Sequence, residues 1–279
     1  MSILKNKLQI LITLFFLAYL VWWISFQSVV HNQGLSVQRF GYTYGLMALV
    51  GAIIGFITAR QWGGFRTVLG KALMFFALGL FAQEAGQLIF TYYNYVSKIQ
   101  IPYPSWGDVA YFGSTLSYIC GGVFLAKAAG VKFSLKTNRY KIIAILVPAI
   151  LLAISYWVFL HNHQYDWHKP LTVFLDLGYP IGDATYISLA ITAYLLSRKL
   201  LGGIMRAGII VVMLALFLQY ISDFTFLYQS NRGTYLGGQF DDLFYFISYF
   251  VMTAAMIKFY MTYSELRSRA KSIGSPGRV

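Results

Sequence analysis

The sequence predicts an all-α integral membrane protein of about eight transmembrane helices, on three observations. The chain of 279 residues is 58% hydrophobic and only 11% charged. Apolar runs long enough to cross a hydrocarbon core, about 20 residues each, recur along its whole length. Its basic residues fall into alternate gaps between those runs. Lipid gives backbone groups no external partners, so each run is expected as a helix.

The runs are about 7–30, 42–60, 70–95, 107–129, 141–161, 171–197, 204–228 and 241–264. The first follows Lys5 and Lys7, as a signal peptide would. It is too long for one and lacks a small-x-small cleavage site, so it reads as a retained helix. The second lies between Arg39 and Arg60. The third carries Glu84 near its middle, and the fourth opens on Asp108 and contains Cys120. A lone cysteine makes no internal disulfide, and Cys120 reads as a packing residue. The fifth leads into a loop with three histidines. The sixth carries Asp176 and Asp183 around Pro180, and the seventh carries Asp223. The eighth starts at Asp241-Asp242 and holds Lys258 near its other end, where a lysine can snorkel to the interface.

The net charge of +13 follows from topology rather than from nucleic-acid binding. With the N-terminus in the cytoplasm, all but four of the 22 lysines and arginines lie on the cytoplasmic side. The four on the outer side are Arg39, Lys98, Lys169 and Arg232. That is the positive-inside rule, and it puts both termini in the cytoplasm. The basic ends then face anionic lipid headgroups of the bilayer. The expected organisation is one membrane domain over 1–265, with halves of about 1–135 and 136–265. A flexible basic tail is expected over 266–279.

A repeat supports the two halves. Leu80-Phe81-x-Gln83 followed by Phe90-x-Tyr92 returns as Leu216-Phe217-x-Gln219 followed by Phe226-x-Tyr228. Asp108-x-x-Tyr111-Phe112-x-Ser114 returns as Asp242-x-x-Tyr245-Phe246-x-Ser248. The offset is 136 residues and then 134. An even number of helices separates the copies, which makes the repeat parallel. Gly182-Asp183-x-x-Tyr186 is a shorter echo of Gly107-Asp108-x-x-Tyr111.

Eight of the nine carboxylates lie in or beside the apolar runs, towards the outer side; only Glu265 falls elsewhere. Inside a membrane each costs roughly 2.5–3.5 kcal/mol to insert, so their retention points to a polar site. Residues three apart share a helix face, so D-x-x-Y turns a carboxylate and a phenol the same way. At a helix start, an aspartate can also simply cap free N–H groups. Asp183 lies too deep for that, roughly 18–20 Å in at 1.5 Å per residue. Glu84 is also near the midplane. The expected binding residues are Glu84, Gln87, Asp108, Tyr111, Asp176, Tyr179, Asp183, Tyr186, Asp223, Asp242 and Tyr245. They describe an outward funnel, acidic at its rim and lined by acceptors and rings. Its ligand would be small and polar or cationic. Pro180, between Gly178 and Gly182, would bend the sixth helix and free a carbonyl for a ligand, or merely bend a packed helix.

His161, His163 and His168 with Asp166 have a spacing that could take zinc or copper. The alternative is an interfacial loop with Tyr165 and Trp167 in the aromatic belt. No residue pattern calls for a cofactor. H-E-x-x-H, G-x-S-x-G and Walker motifs are absent from the sequence, so no enzyme chemistry is expected.

The run Pro102-Tyr103-Pro104-Ser105-Trp106-Gly107-Asp108, continuing to Tyr111, has the pattern P-Y-P-S-x-x-D-x-x-Y. Tyr179-Pro180-x-x-Asp183 adds Y-P-x-x-D. Over about residues 75–260 the chain resembles a family of prokaryotic multi-helix membrane modules. These are often fused to GGDEF (diguanylate cyclase) or histidine kinase domains. The resemblance implies a sensor of the cytoplasmic membrane that signals to a cytoplasmic partner, although these 279 residues contain no such output domain. The alternative is a small cation- or proton-coupled transporter built from two parallel repeats. Against it, the cytoplasmic halves of the helices offer almost no carboxylates for an inward path.

Overall fold

The computed structural model describes residues 2–27, 35–99, 101–129, 138–161, 165–197, 205–232 and 234–273. Among them every regular element is helical. The α-helices are α1 (Ser2–Gln27), α2 (Leu35–Thr43), α3 (Leu46–Gln61), α4 (Val68–Thr91), α5 (Trp106–Ala128), α6 (Asn138–Ser155), α7 (Pro170–Ser197), α8 (Arg206–Asn231) and α9 (Phe240–Ile273). Single π-type turns, Tyr92–Ser97 and Tyr156–Leu160, extend α4 and α6.

Seven helical stretches are long and apolar enough to cross a membrane, the mark of a multi-pass membrane protein. The expected sixth span, α7, has the length at 28 residues but falls short in hydropathy. Asp176, Gly178, Pro180, Gly182 and Asp183 dilute it, and two of these belong to the cavity described below. The helix nevertheless runs unbroken through Pro180. The expected second span is divided: α2 and α3 are separated by a turn at Tyr44–Gly45. Helix α9 continues through Ile273, and residues 274–279 lie outside the described part.

The packing order is a closed ring. Helix α3 packs on α4, α4 on α5, α5 on α7, α7 on α8, α8 on α9, and α9 back on α3. Helix α1 leans on α9, and α6 on α7, outside the ring. Both outer helices turn large apolar side chains outwards, such as Leu11, Leu14 and Val21 on α1 and Ile142 and Ile145 on α6. Such a surface suits lipid. The ring interior holds the buried polar residues, among them Thr58, Gln83, Gln87, Ser114, Gln219, Ser248 and Thr253.

Glycines bring the ring helices close. A methyl carbon at Gly121 would lie 2.6 Å from the Phe76 ring, and one at Gly86 would lie 2.8 Å from the Tyr111 ring. At one end of the ring, Trp62 Nε1 donates to Phe259 O at 3.1 Å, beside Arg60 and Arg66. At the other, Trp23 Nε1 donates to Gly238 O at 3.1 Å. The carboxylate-bearing helix ends gather at this second end.

Candidate functional site

Within the ring, towards the acidic end, lies a cavity of about 370 Å³. Four carboxylates line it: Asp108 from α5, Asp176 and Asp183 from α7, and Asp223 from α8. Among the described residues no lysine or arginine is in its wall. Gln83 and Gln87 come from α4, and seven tyrosines complete the polar lining, including Tyr111, Tyr179 and Tyr245. A second cavity of about 410 Å³ adjoins the first and shares Gln87, Phe90, Phe226 and Tyr235 with it.

Local sequence explains each position. Ser105 caps α5 in a reciprocal box: its backbone N–H and hydroxyl donate to Asp108 Oδ2 at 2.7 and 2.8 Å. The other carboxylate oxygen faces the cavity and accepts from Tyr179 OH at 3.3 Å. Asp108 is therefore both cap and wall. Tyr103 OH donates to Asp176 Oδ1 at 2.7 Å. Burial, and then the adjacent Asp176 carboxylate, raise the Tyr103 pKa above its ordinary value, so this phenol stays a donor. Asp223 accepts from Tyr186 OH and Tyr245 OH, both at 2.8 Å, and from Gln219 Nε2 at 3.1 Å. Asp242 accepts from Gly238 N–H at 2.5 Å and Tyr235 OH at 3.1 Å, closing the turn before α9. Burial and the Asp242 charge raise the Tyr235 pKa as well.

Asp183 stands apart. It is 3% exposed, and its Oδ1 has no hydrogen-bond partner among the described residues. It shares the wall with Thr115, Tyr179 and Asp223. The other carboxylates of this cavity are held by tyrosine hydroxyls; Asp183 offers an acceptor that no donor among these residues uses.

Eight of the expected residues meet in this wall: Gln87, Asp108, Tyr111, Asp176, Tyr179, Asp183, Asp223 and Tyr245. Three do not. Tyr186 is fully buried behind the wall, where it donates to Asp223 and meets Tyr118 edge-on. Asp242 faces the second cavity. Glu84 points away from both cavities, towards Gly45. Helical spacing groups residues by face but not by which neighbour that face meets, which is why D-x-x-Y overreached at Tyr186 and Asp242.

The structure adds Tyr44, Phe90, Tyr103, Tyr235 and Tyr249 to the wall. With 22 tyrosines in the chain, composition could not single these out. One signal could have found the α2 end: Gly41-Tyr42-Thr43-Tyr44-Gly45 echoes Gly178-Tyr179-Pro180-Ile181-Gly182 in G-Y-x-x-G spacing.

The sequence-repeated residues make matched contacts. Gln83 Nε2 donates to Ser114 Oγ at 2.7 Å, and Ser248 Oγ donates to Gln219 Oε1 at 3.0 Å. Tyr111 OH donates to Gln87 Oε1 at 3.0 Å, as Tyr245 OH does to Asp223 Oδ1 at 2.8 Å. Phe90 meets Tyr111 edge-on, and Phe226 meets Tyr245 edge-on.

The histidine loop is only partly described, and His163 lies outside the described residues. His161 stacks on Trp157 at 4.4 Å between ring centroids. Asp166 accepts from the His168 N–H at 3.1 Å and pairs with Lys169 at 3.5 Å. No metal-holding group of three His, Cys, Asp or Glu side chains occurs among the described residues.

Fold and site together define a helical membrane protein with an interior acidic and aromatic cavity. Comparison with protein-family models, curated proteins and solved structures finds no match.

Proposed function

We propose that this protein is a ligand-binding and sensing module of a prokaryotic cytoplasmic membrane, with eight spans and both termini in the cytoplasm. Its cavity opens outwards and takes a small organic cation, and a helix shift passes the signal to a cytoplasmic partner. One observation carries the reading: among the described residues, four aspartates and seven tyrosines line a cavity without lysine or arginine, and Asp183 Oδ1 is unpaired there. An ammonium group would supply donors to that oxygen and balance its charge. Aromatic faces around a cation add about 0.5–2 kcal/mol each. The motif resemblance to sensor modules supports the signalling half of the proposal.

A thermal-shift screen of amines in detergent tests it. At least one amine is expected to raise the melting temperature of wild type. Asp183→Asn should abolish that rise while leaving the ligand-free melting temperature nearly unchanged. If no amine stabilises wild type and Asp183→Asn unfolds early, the aspartate is a structural tie and the reading fails.

A second reading is a carrier of two parallel repeats. The matched contacts of α4–α5 and α8–α9 favour it, because duplicated halves around a central site are common in transporters. Saturable uptake of the stabilising amine into proteoliposomes would select it.

A further inference from the structure

The second cavity, of about 410 Å³, is chemically unlike the first. The first holds four aspartates. The second holds one, Asp242, and both of its oxygens already accept from the protein: Oδ2 from Gly238 N–H at 2.5 Å and Oδ1 from Tyr235 OH at 3.1 Å. Its other polar side chains are neutral, and carboxamides lead them: Gln38 from α2, Gln87 from α4, Asn94 from the π-type turn after α4, and Gln239 just before α9. Among the described residues no lysine or arginine lines it. Gln38 and Asn94 are exposed, so this cavity reaches solvent.

Four residues line both cavities: Gln87, Phe90, Phe226 and Tyr235. Two of them are fixed by hydrogen bonds. The Gln87 amide donates to Gly41 O and accepts from Tyr44 OH and Tyr111 OH, each at 3.0 Å. Tyr235 is tied to Asp242. The other two are phenyl rings at repeated positions. Phe90 on α4 and Phe226 on α8 each stand edge-on to the tyrosine of their own repeat, Tyr111 or Tyr245. Gly107 makes room for one of these rings, since a methyl carbon there would collide with Phe90. The α2–α3 break serves both cavities as well. There the helical ladder shifts: Met47 N–H turns back to Tyr44 O at 3.3 Å, and Ala48 and Leu49 N–H share Gly45 O at 2.8 and 3.1 Å. Gly41 and Tyr42 line the second cavity, and Tyr44 lines the first.

We propose that the two cavities form one bipartite site, and that its ligand is an amine whose carbon chain passes Phe90 and Phe226 to a neutral amide group in the second cavity. The inference rests on the amine reading of the first cavity and adds the other end of the ligand. Each end follows from charge. An ammonium group in the second cavity would face a carboxylate whose oxygens already hold protein donors, and it would leave Asp183 uncompensated in the first. A carboxylate end would meet no cation in either wall among the described residues. A neutral amide both donates and accepts, and carboxamide side chains match it on both counts. Between the two ends the boundary presents rings, which pack on methylene groups and ask for no hydrogen bond. A mostly apolar lining with a few placed polar groups is the usual make-up of a small-ligand pocket.

The test is calorimetric titration of the purified full chain in detergent with three probe series of increasing chain length: n-alkylamines, α,ω-diamines and mono-N-acetylated α,ω-diamines. At one chain length the acetylated diamine should bind about tenfold tighter than the alkylamine and the diamine of the same length, a gain of about 1.4 kcal/mol. In a Gln38→Ala/Asn94→Ala double variant that preference should fall to about threefold or less, because the amide loses its partners. Asp183→Asn should abolish binding of all three series, because the ammonium end is common to them. Alkylamines that bind as tightly as acetylated diamines at every length overturn the proposal and leave the amine reading standing. A diamine that binds tightest also overturns it, by making the second cavity a cation site. So does a preference for the acetyl group that survives in the double variant. Should the double variant not fold, the wild-type ranking supports or overturns the proposal by itself. Failure of the underlying reading looks different: no amine of any series binds, and both fall together.

Discussion

Asp183 and Asp223 share one cavity wall, and they differ in what the protein itself gives them. Asp223 takes three donors from three elements, Tyr186 on α7, Gln219 on α8 and Tyr245 on α9. Asp183 Oδ1 takes none among the described residues. Removing the acceptor of a satisfied buried network leaves its donors unpaired, at about 1–3 kcal/mol for each group. Asp223→Ala should therefore lower the melting temperature of the ligand-free protein by several degrees, where Asp183→Asn barely moves it. Equal losses in the two variants, measured in the same detergent, would remove the distinction on which the binding reading rests. Tyr111 and Tyr245 give a finer test, because they occupy repeated positions with unequal acceptors. Tyr111 donates to the Gln87 amide and Tyr245 to the Asp223 carboxylate. A bond to a charged acceptor is worth about 1.5–3 kcal/mol against about 0.5–1.5 for a neutral one. Tyr245→Phe should destabilise more than Tyr111→Phe, and the reverse order would mean that Asp223 is not a charged acceptor in the folded protein.

At the scale of elements, close glycine contacts set the α4–α5 pairing. Gly121→Ala would drive a methyl carbon to 2.6 Å from the Phe76 ring, and overpacking of this kind costs about 1–3 kcal/mol. Its expected effect is a lowered melting temperature, whereas Gly113→Ala, which meets nothing within 4 Å on the same helix, should be neutral. Seven helical stretches were legible from hydropathy, since a span needs only length and apolarity, whereas α7 falls short by that measure. Their order around the ring was not. Lipid-facing and core-facing positions are both apolar, so α1 and α6 read like the ring helices although they lie outside it. The break at Tyr44–Gly45 was equally hidden, because glycine recurs through this chain and most of its glycines sit inside intact helices. What exposed the break was the shifted hydrogen-bond ladder, a property of neighbouring backbone atoms rather than of residue type. The carboxylate positions were the most legible part of the site. Each buried acid must be compensated, and their common placement at one end announced an interior. Which acids the protein satisfies by itself depended on tyrosines from distant segments, such as Tyr103 for Asp176 and Tyr186 for Asp223.

For the whole molecule, the ring has a polar half and an apolar half, and this asymmetry separates a receptor from a carrier. Towards the acidic end the interior is lined by aspartate, glutamine and tyrosine. Towards the basic end it is filled by fully buried Leu73, Phe76, Leu125, Ile187, Met256 and Phe259. A cation leaving Asp183 in that direction meets packed hydrocarbon, and moving it there unpaired would cost several kcal/mol. A carrier must open a polar route on that side, and the repeated halves would have to rock by enough to create one. The receptor reading requires no such route. Its expectation is that the amine identified by thermal shift binds to proteoliposomes from the acidic side and washes out from the same side, without accumulating in the lumen. Sidedness can be fixed in the same preparation. In a Cys120→Ser background, a cysteine at Trp167 should react with an impermeant maleimide added outside intact cells, and one at Ser268 only after permeabilisation. Labelling at Ser268 in intact cells would reverse the topology. Lumenal accumulation that saturates with amine concentration, and is lost in Asp183→Asn, would show that the apolar half opens and that the protein carries its ligand across.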